Sequence, residues 1–367
     1  MSYSRRDAIK SIGLGALGAT GLAACGREET VASPGASSQR YHWNMVTTWP
    51  PGFPGLGTGA EYFARTLEAA TGGRISVTVY GAGELVPWDG VFDAVSQGTA
   101  QLGHGAAYYW KGKAQAAQFF GAVPFGMTAQ QINGWLYQGG GLALWREVYA
   151  PFGILPFPCG NTGVQMGGWF NREISSLADI QGLKMRIPGL GGEVLTRAGG
   201  IAVGLGGGEI FTALQTGAID ASEWVGPYND LAFGLYEAAR YYYYPGWHEP
   251  GSTLEVIVNR EAYQALPADL QAAVAAAAEA ANGHMLAEYT ARNPAALVTL
   301  IEEHGVELRR FPDEVLAEFK RISGEVLAEM ASGDEMVARV YASYRDFQSR
   351  VSAFHKVTEL PYLEVQD

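Results

Sequence analysis

Cysteine is nearly absent from this chain: 367 residues contain only Cys25 and Cys159. Disulfides are therefore not part of its design. The usual signatures of nucleophilic or zinc hydrolysis are missing as well, with no G-x-S-x-G, no HExxH and no CxxC. Two glycine runs, GLGG at 189–192 and GLGGG at 204–208, lack the final glycine of G-x-G-x-x-G, and no GxxxxGK[ST] occurs. They read as tight turns into helix N-termini, where amides can also meet an anion. Positive charge is scarce, 25 Lys and Arg against 37 Asp and Glu, for a net charge of -12. That balance argues against nucleic acid or an anionic lipid surface as partner. An acidic chain that captures an anion must do so with a local site. Six histidines are scattered, and only His248 adjoins the charged residues discussed below.

The first 40 residues read as an address and a tether. Ser4, Arg5, Arg6 and Asp7 resemble a twin-arginine export signal, and the apolar stretch Ile12 to Ala24 is too short to span a membrane. Leu22, Ala23, Ala24 and Cys25 match a lipoprotein cleavage box in which Cys25 is acylated; ordinary cleavage near the same point is the alternative. Losing 1–24 removes Arg5, Arg6, Lys10 and Asp7 and takes the net charge from -12 to -14. Residues 26–40, polar and rich in small side chains, suit a flexible linker. The expected location is the periplasm, with a lipid anchor at Cys25.

The remaining chain, roughly 325 residues, is long enough for two domains of ordinary size. From Tyr41 the pattern runs YHWNMVTTW, a helix from Thr58 to Thr71, RISVTVY, a helix from Trp88 to Gln97, then QLGHGAAYYW. Strand, helix, strand, helix, strand predicts a parallel sheet. The loops holding Trp49 to Gly57 and Tyr108 to Trp110 fall at its ligand edge, and Tyr109 is the aromatic singled out there. A second α/β unit has strands at VQMGGWF and GLKMRIP and helices near 192–198 and 208–216. The chain returns through STLEVIVN to a long helix from Ala268 to Arg292, which Asn293 and Pro294 are expected to break before a further helix to Glu303. VELRRFP reads as a short strand, and helices follow over Glu314 to Met330 and Glu335 to Lys356. The last carries an apolar stripe of Val340, Tyr344, Phe347, Val351 and Phe354, suited to a dimer partner or to its own domain.

The chemistry concentrates between Asn161 and Asn259. Arg186 sits at the end of an apolar strand, where open α/β sheets bind ligands. Its planar fork matches a carboxylate, and an internal ion pair to Asp179 or Glu193 is the other reading. Glu223 and Glu249 lie in aromatic surroundings and would repel an anion unless something positive lay between them. With Gln165 and a backbone carbonyl they make a partial oxygen shell for sodium or calcium and a poor one for zinc.

In order, the runs MGGWF, SLADIQGLKMRIPG, GAIDASEWVGP and YYYYPGWHEPG resemble the solute-binding proteins of TRAP transporters (tripartite ATP-independent periplasmic transporters), in the branch that binds 2-oxo or 2-hydroxy monocarboxylates. The likeness extends from about Tyr41 to the C-terminus. It implies an α/β, two-domain periplasmic-binding-protein fold with an interdomain cleft, hinge crossings, a long connecting helix and C-terminal helices. It also implies that Arg186 clamps the substrate carboxylate and that Gln165, Glu223, the Trp224 carbonyl and Glu249 hold sodium or calcium. Asn161, Tyr109 and Tyr228 complete the expected ligand contacts, with Gln165 and Trp224 counted among them. The implied partners are the transporter's membrane subunits and, through the C-terminal helix, a second copy.

The expected division is an export signal over 1–24, a tether over 25–40, and a first α/β domain over 41–161 plus about 249–290. A second domain covers about 162–248 plus about 291–330, and a C-terminal helix covers 331–367. The leading function is a receptor that binds its acid unchanged. An exported enzyme using Glu223 and Glu249, as a glycosidase pair or in a metal-dependent lyase, and a sugar receptor are the alternatives.

Overall fold

The computed structural model describes residues 39–366. The expectations for the export signal, the lipoprotein box and most of the tether lie outside them. Strands β1 (Tyr41–Thr47), β2 (Ile75–Tyr80), β3 (Leu102–Ala106) and β4 (Ile154–Asn161) come first. Then follow β5 (Gly168–Phe170), β6 (Lys184–Arg186), β7 (Ile201–Val203), β8 (Ala221–Ser222) and β9 (Tyr241–Tyr244), and finally β10 (Thr253–Asn259) and β11 (Glu307–Arg310). They form two sheets, of order β2-β1-β3-β10-β4 and β11-β9-β5-β8-β6-β7.

Strand, helix, strand alternation does give a parallel arrangement for β1, β2 and β3. The first sheet as a whole is mixed, because β10 enters between β3 and β4 antiparallel to both. A strand that returns from another lobe carries no local alternation to announce its direction. Helix Gly57–Ala70 buries Ala60, Phe63 and Leu67, one face at helical spacing, in the cluster that also holds Met45, Ile75 and Val256. Phe63 and Leu67 are fully buried, each contributing about 2 kcal/mol of apolar transfer.

Among the described residues the chain passes between the two sheets three times, after β4, after β9 and, through the long helix, after β10; the first two passages run side by side. Thr162 N donates to Ser252 O at 3.1 Å and Gln165 N to Glu249 O at 3.1 Å, extending the β4/β10 pairing out of the first sheet. Gly246 is required here, since a Cβ at that position would fall 2.1 Å from the Gln165 carbonyl oxygen.

The long helix is not broken at Pro294; it runs unbroken from Ala268 to Glu302. Thr290, whose carbonyl loses the Pro294 amide, and Pro294 itself are exposed, so water can satisfy that oxygen, while Tyr289, Ala296 and Leu300 keep the opposite face buried. The apolar stripe of helix Glu335–His355 is divided. Val340 and Tyr344 are buried against the first lobe, where Met127 N donates to the Tyr344 hydroxyl at 2.8 Å, whereas Phe354 is 61% exposed. No helix among the described residues is long and apolar enough to cross a membrane.

Glu255 on β10 is buried between Trp110 Nε1 and the Tyr149 hydroxyl, which donate to it at 2.5 and 3.0 Å. Burial pushes its carboxyl up to about 8, with these two donors pulling the other way. The folded chain thus retains a proton that the unfolded chain releases at ordinary glutamate pH. Its stabilising contribution is complete in acid and is lost as pH rises toward 8. Glu255→Gln should make the fall in unfolding free energy shallower by roughly 1 kcal/mol per pH unit between about 5 and 8. Urea denaturation at several pH values measures this, and an unchanged slope would mean the carboxyl is ionised in the folded protein.

Candidate functional site

Neighbouring strands of the second sheet bring the charged residues together. Arg186 at the end of β6 is in register with Ser222 of β8, so Glu223 emerges beside it, and Trp169 of β5 is paired with Ser222 on the other side. Gln165 lies just before β5, where Met166 N donates to Val225 O at 3.0 Å. Glu249 comes from the returning crossing. Arg186, Gln165, Glu223 and Glu249 are all buried.

Arg186 makes an internal ion pair, but with Glu223 Oε1 rather than with Asp179 or Glu193. Asp179 instead accepts from the Ser175 and Ser176 amides, and Glu193 pairs with Arg197. Arg186 Nε donates to Leu205 O and Nη1 to Glu223 O, both at 3.3 Å, and the guanidinium lies 5.3 Å from the Trp224 ring centroid. Burial opposes the charge on Arg186, and Glu223, with the Tyr109 and Tyr108 hydroxyls, outweighs it, so the net shift is upward. Tyr109 is pushed up to about 12 by burial, with Arg186 working against the shift.

Glu249 Oε2 accepts from Gln165 Nε2 at 2.9 Å, from the Tyr108 hydroxyl at 3.3 Å and from Ser252 Oγ. Burial first, and the nearby Glu223 charge second, push its carboxyl up to about 7. Gln165 Nε2 also donates to Thr162 Oγ1 at 3.2 Å, which turns Oε1 away from both; that oxygen is buried with no partner. His248 Nε2 is 3.5 Å from Glu223 Oε2, and neither ring nitrogen has a hydrogen-bond partner. One ligand atom from each of Glu223, His248 and Glu249 lies within 4.8 Å of the others.

The donor set fits a hard cation. Glu223 and Glu249 are buried close to one another, and the Gln165 amide oxygen beside them has no hydrogen-bond partner. Gln165, Glu223, Glu249 and the Trp224 backbone belong to this one region.

Above it is a small, partly closed cavity. Its polar wall is Arg186, Gln165, Thr162, Tyr108 and Tyr109; its apolar wall is Trp49, Leu56, Trp224, Val225 and Leu254. Trp49 is held by His104, whose Nδ1 accepts from the indole Nε1 at 2.8 Å; burial lowers that histidine to about 4, so it stays neutral. Gly207 admits the Trp224 ring, which would meet a Cβ there at 2.7 Å. Larger depressions exist on the surface, one lined by Lys111, Glu193, Arg197 and Glu329, but they are open and lack convergent buried groups.

Two residues expected at the ligand are elsewhere. The Tyr228 hydroxyl donates to Glu288 at 3.0 Å, outside the cavity, because helix Pro227–Ala232 turns that side chain toward the long helix. Asn161 is buried beside the crossing, its side chain spent on Thr253 Oγ1 at 3.2 Å and the Gly163 amide at 2.9 Å. The sequence placed Tyr108 and Leu56 only within the two loops at the ligand edge, without singling either out, and marked His248 only as a neighbour. Thr162 and Leu254 were passed over, and they carry no signal without the fold.

Residues 45–334 match DctP, the bacterial extracellular solute-binding protein, family 7. The chain belongs to this family. It is 45% identical over 360 residues to a monocarboxylate 2-oxoacid-binding periplasmic protein of Nostoc sp., covering 98% of this chain and 97% of that one. Among solved structures it is similar to a TRAP periplasmic solute binding protein of Pseudoalteromonas atlantica with bound sodium and pyruvate. The identity is 42% and the TM-score 0.87, over 90% of this chain and all of the other. A TRAP periplasmic solute binding protein of Colwellia psychrerythraea with bound calcium and pyruvate is 40% identical with a TM-score of 0.87, over 89% of this chain and 99% of that one. The family fold is the two-domain periplasmic-binding-protein fold, in agreement with the two sheets and paired crossings described above.

Proposed function

We propose that this family member is the extracytoplasmic receptor of a TRAP transporter and captures a small 2-oxo or 2-hydroxy carboxylate, pyruvate-like or lactate-like, for delivery to the membrane subunits. One observation carries the reading: Arg186 and Gln165, whose amide oxygen is buried without a partner, line the same small cavity. Arg186 is held inside the protein by Leu205 O and Glu223, and its guanidinium also lines the cavity, where the ligand carboxylate would meet it. A sodium or calcium ion held by Gln165, Glu223, the Trp224 carbonyl and Glu249 supplies positive charge for a carboxylate oxygen and the adjacent 2-oxo or 2-hydroxy oxygen. Tyr109 faces the same guanidinium and closes the polar wall. Trp49, Leu56 and Leu254 cover the ligand's carbon end and exclude water from the charges.

The relatives above are binding proteins, and no reaction at Glu223 and Glu249 is part of this reading. Periplasmic location with a lipid anchor at Cys25 is proposed on the sequence of the leader. A homodimer through the C-terminal helix is supported by Phe354, Val357, Leu360, Tyr362, Leu363 and Val365, all more than half exposed.

Calorimetric titration with pyruvate, lactate, a longer 2-oxo acid and propionate tests the reading. Pyruvate should bind at least roughly 10- to 100-fold more tightly than propionate, which lacks the second oxygen. Equal affinity for the two would remove the chelate from the account.

A further inference from the structure

The segment bearing the Trp224 carbonyl continues directly into two buried side chains that touch no ligand position. Asp230 Oδ1 accepts from the Val225 and Gly226 amides, both at 3.2 Å, and Oδ2 from Trp169 Nε1 at 2.9 Å and the Tyr242 hydroxyl at 2.7 Å. The loop and the first turn of helix Pro227–Ala232 are thereby fixed to the second sheet as one piece. Asn229, next to it, points the other way. Its Nδ2 donates to the Pro54 carbonyl at 2.7 Å, and its Oδ1 accepts from the Tyr289 hydroxyl at 2.6 Å. Pro54 belongs to the loop after β1 of the first sheet, and Tyr289 to the long helix. Phe53 of the same loop packs on Phe233 at 4.4 Å and on Trp224 at 6.0 Å between ring centroids. Gly55 has φ +70°, and a Cβ there would lie 2.6 Å from the Tyr289 hydroxyl. The loop can come this close to the helix only as glycine.

We infer that Asn229 is a positioning residue for closure, a clasp that holds the Pro54 loop of the first lobe down on the cation-bearing segment of the second; this rests on the receptor reading above. The amide side chain is suited to the task because one end must donate to a carbonyl and the other accept from a phenol. The Tyr289 hydroxyl is buried and the Pro54 carbonyl half-buried in this arrangement, and both would be hydrated once the lobes part, so the pair of bonds favours the closed form selectively. Because Asp230 makes Val225, Gly226 and the helix a single unit, the clasp and the Trp224 carbonyl move together. Leu56, a wall of the cavity, is carried on the same loop.

The experiment compares the wild type with Asn229→Ala and Tyr289→Phe, calcium present, reading pyruvate association and dissociation by stopped-flow tryptophan fluorescence. Asn229→Ala should speed dissociation about 10-fold or more, since the Pro54 carbonyl and Tyr289 hydroxyl lose their shared partner only in the closed form. Association should stay within about threefold of wild type, and Tyr289→Phe should give a smaller change in the same direction. Amide exchange in the ligand-free proteins should quicken across 53–58, because the variant lowers the share of molecules that close and so protect this loop, and not across the rest of the first sheet. Dissociation equal to wild type in Asn229→Ala would overturn the clasp, and so would faster exchange spread over the whole chain. If the wild type binds no 2-oxo acid, the receptor reading falls by itself. The exchange measurement then still decides the clasp: local quickening sustains it, and none overturns it.

Discussion

Arg186→Ala should abolish useful capture of a 2-oxo acid, with a loss on the order of 2–5 kcal/mol by analogy with broken buried charge pairs. The size of the effect follows from what Arg186 does twice. It is the cation that a ligand carboxylate would meet, and it is already the counter-charge of Glu223, with both side chains almost wholly buried. Its removal leaves Glu223 facing Glu249 with no compensating charge, so the substitution should also lower the unfolding temperature of cation-free protein. Calcium should recover part of that stability without recovering affinity, because an ion can balance Glu223 but cannot replace the planar fork. Arg186→Lys makes the same distinction from the other side: a point charge keeps the balance near Glu223, yet cannot reach Leu205 O, Glu223 and a ligand at once. Titration of the three proteins with pyruvate, alongside thermal unfolding with and without calcium, measures both parts. Affinity retained within about threefold in Arg186→Ala would take the arginine out of the site.

What was legible in the sequence is what local chemistry can express. An arginine ending an apolar strand, two glutamates among aromatics and a glutamine in an apolar run marked the candidate site that the fold brings together, and the family runs supplied its expected organisation. The pairing of Arg186 with Glu223 was not legible, because residues 37 apart become neighbours only through the β6/β8 register. Asp179 and Glu193, nearer in sequence, are committed to local turns and helix pairs. Tyr228 shows the same limit: an aromatic beside a site in sequence is turned outward when a helix begins at Pro227. Pro294 failed as a helix breaker because a single missing amide on an exposed face costs less than the buried contacts on either side return. The direction of β10 depends on a crossing from the second lobe, which no window of the first can contain.

Removing the cation should have an effect comparable to removing the arginine, and Glu249→Gln should reproduce it. Without a positive ion, Glu249 is a buried carboxyl pushed up to about 7, first by burial and then by Glu223, and Gln165 keeps a buried oxygen with nothing to bind. Both are destabilised states that an ion between them relieves. Calcium at about 100 times its dissociation constant should therefore raise the stability of ligand-free protein by roughly 2.7 kcal/mol, seen as a higher unfolding temperature. Chelation, with sodium replaced by a bulky organic cation, should weaken pyruvate binding by roughly 100-fold, because the ligand anion then faces two carboxylates with Arg186 alone to offset them. Glu249→Gln is the sharper variant. It is nearly isosteric and keeps an oxygen for the Tyr108 and Ser252 hydroxyls, whereas Glu223→Gln would also disturb Arg186. Its protein should fold, show little calcium-dependent rise in unfolding temperature, and bind pyruvate weakly with or without calcium. A full calcium response in Glu249→Gln would exclude this carboxylate as a ligand. Pyruvate affinity untouched by chelation and sodium replacement in the wild type would leave Arg186 as the sole anchor, and the two glutamates would then have to be explained by Arg186 and the hinge contacts alone.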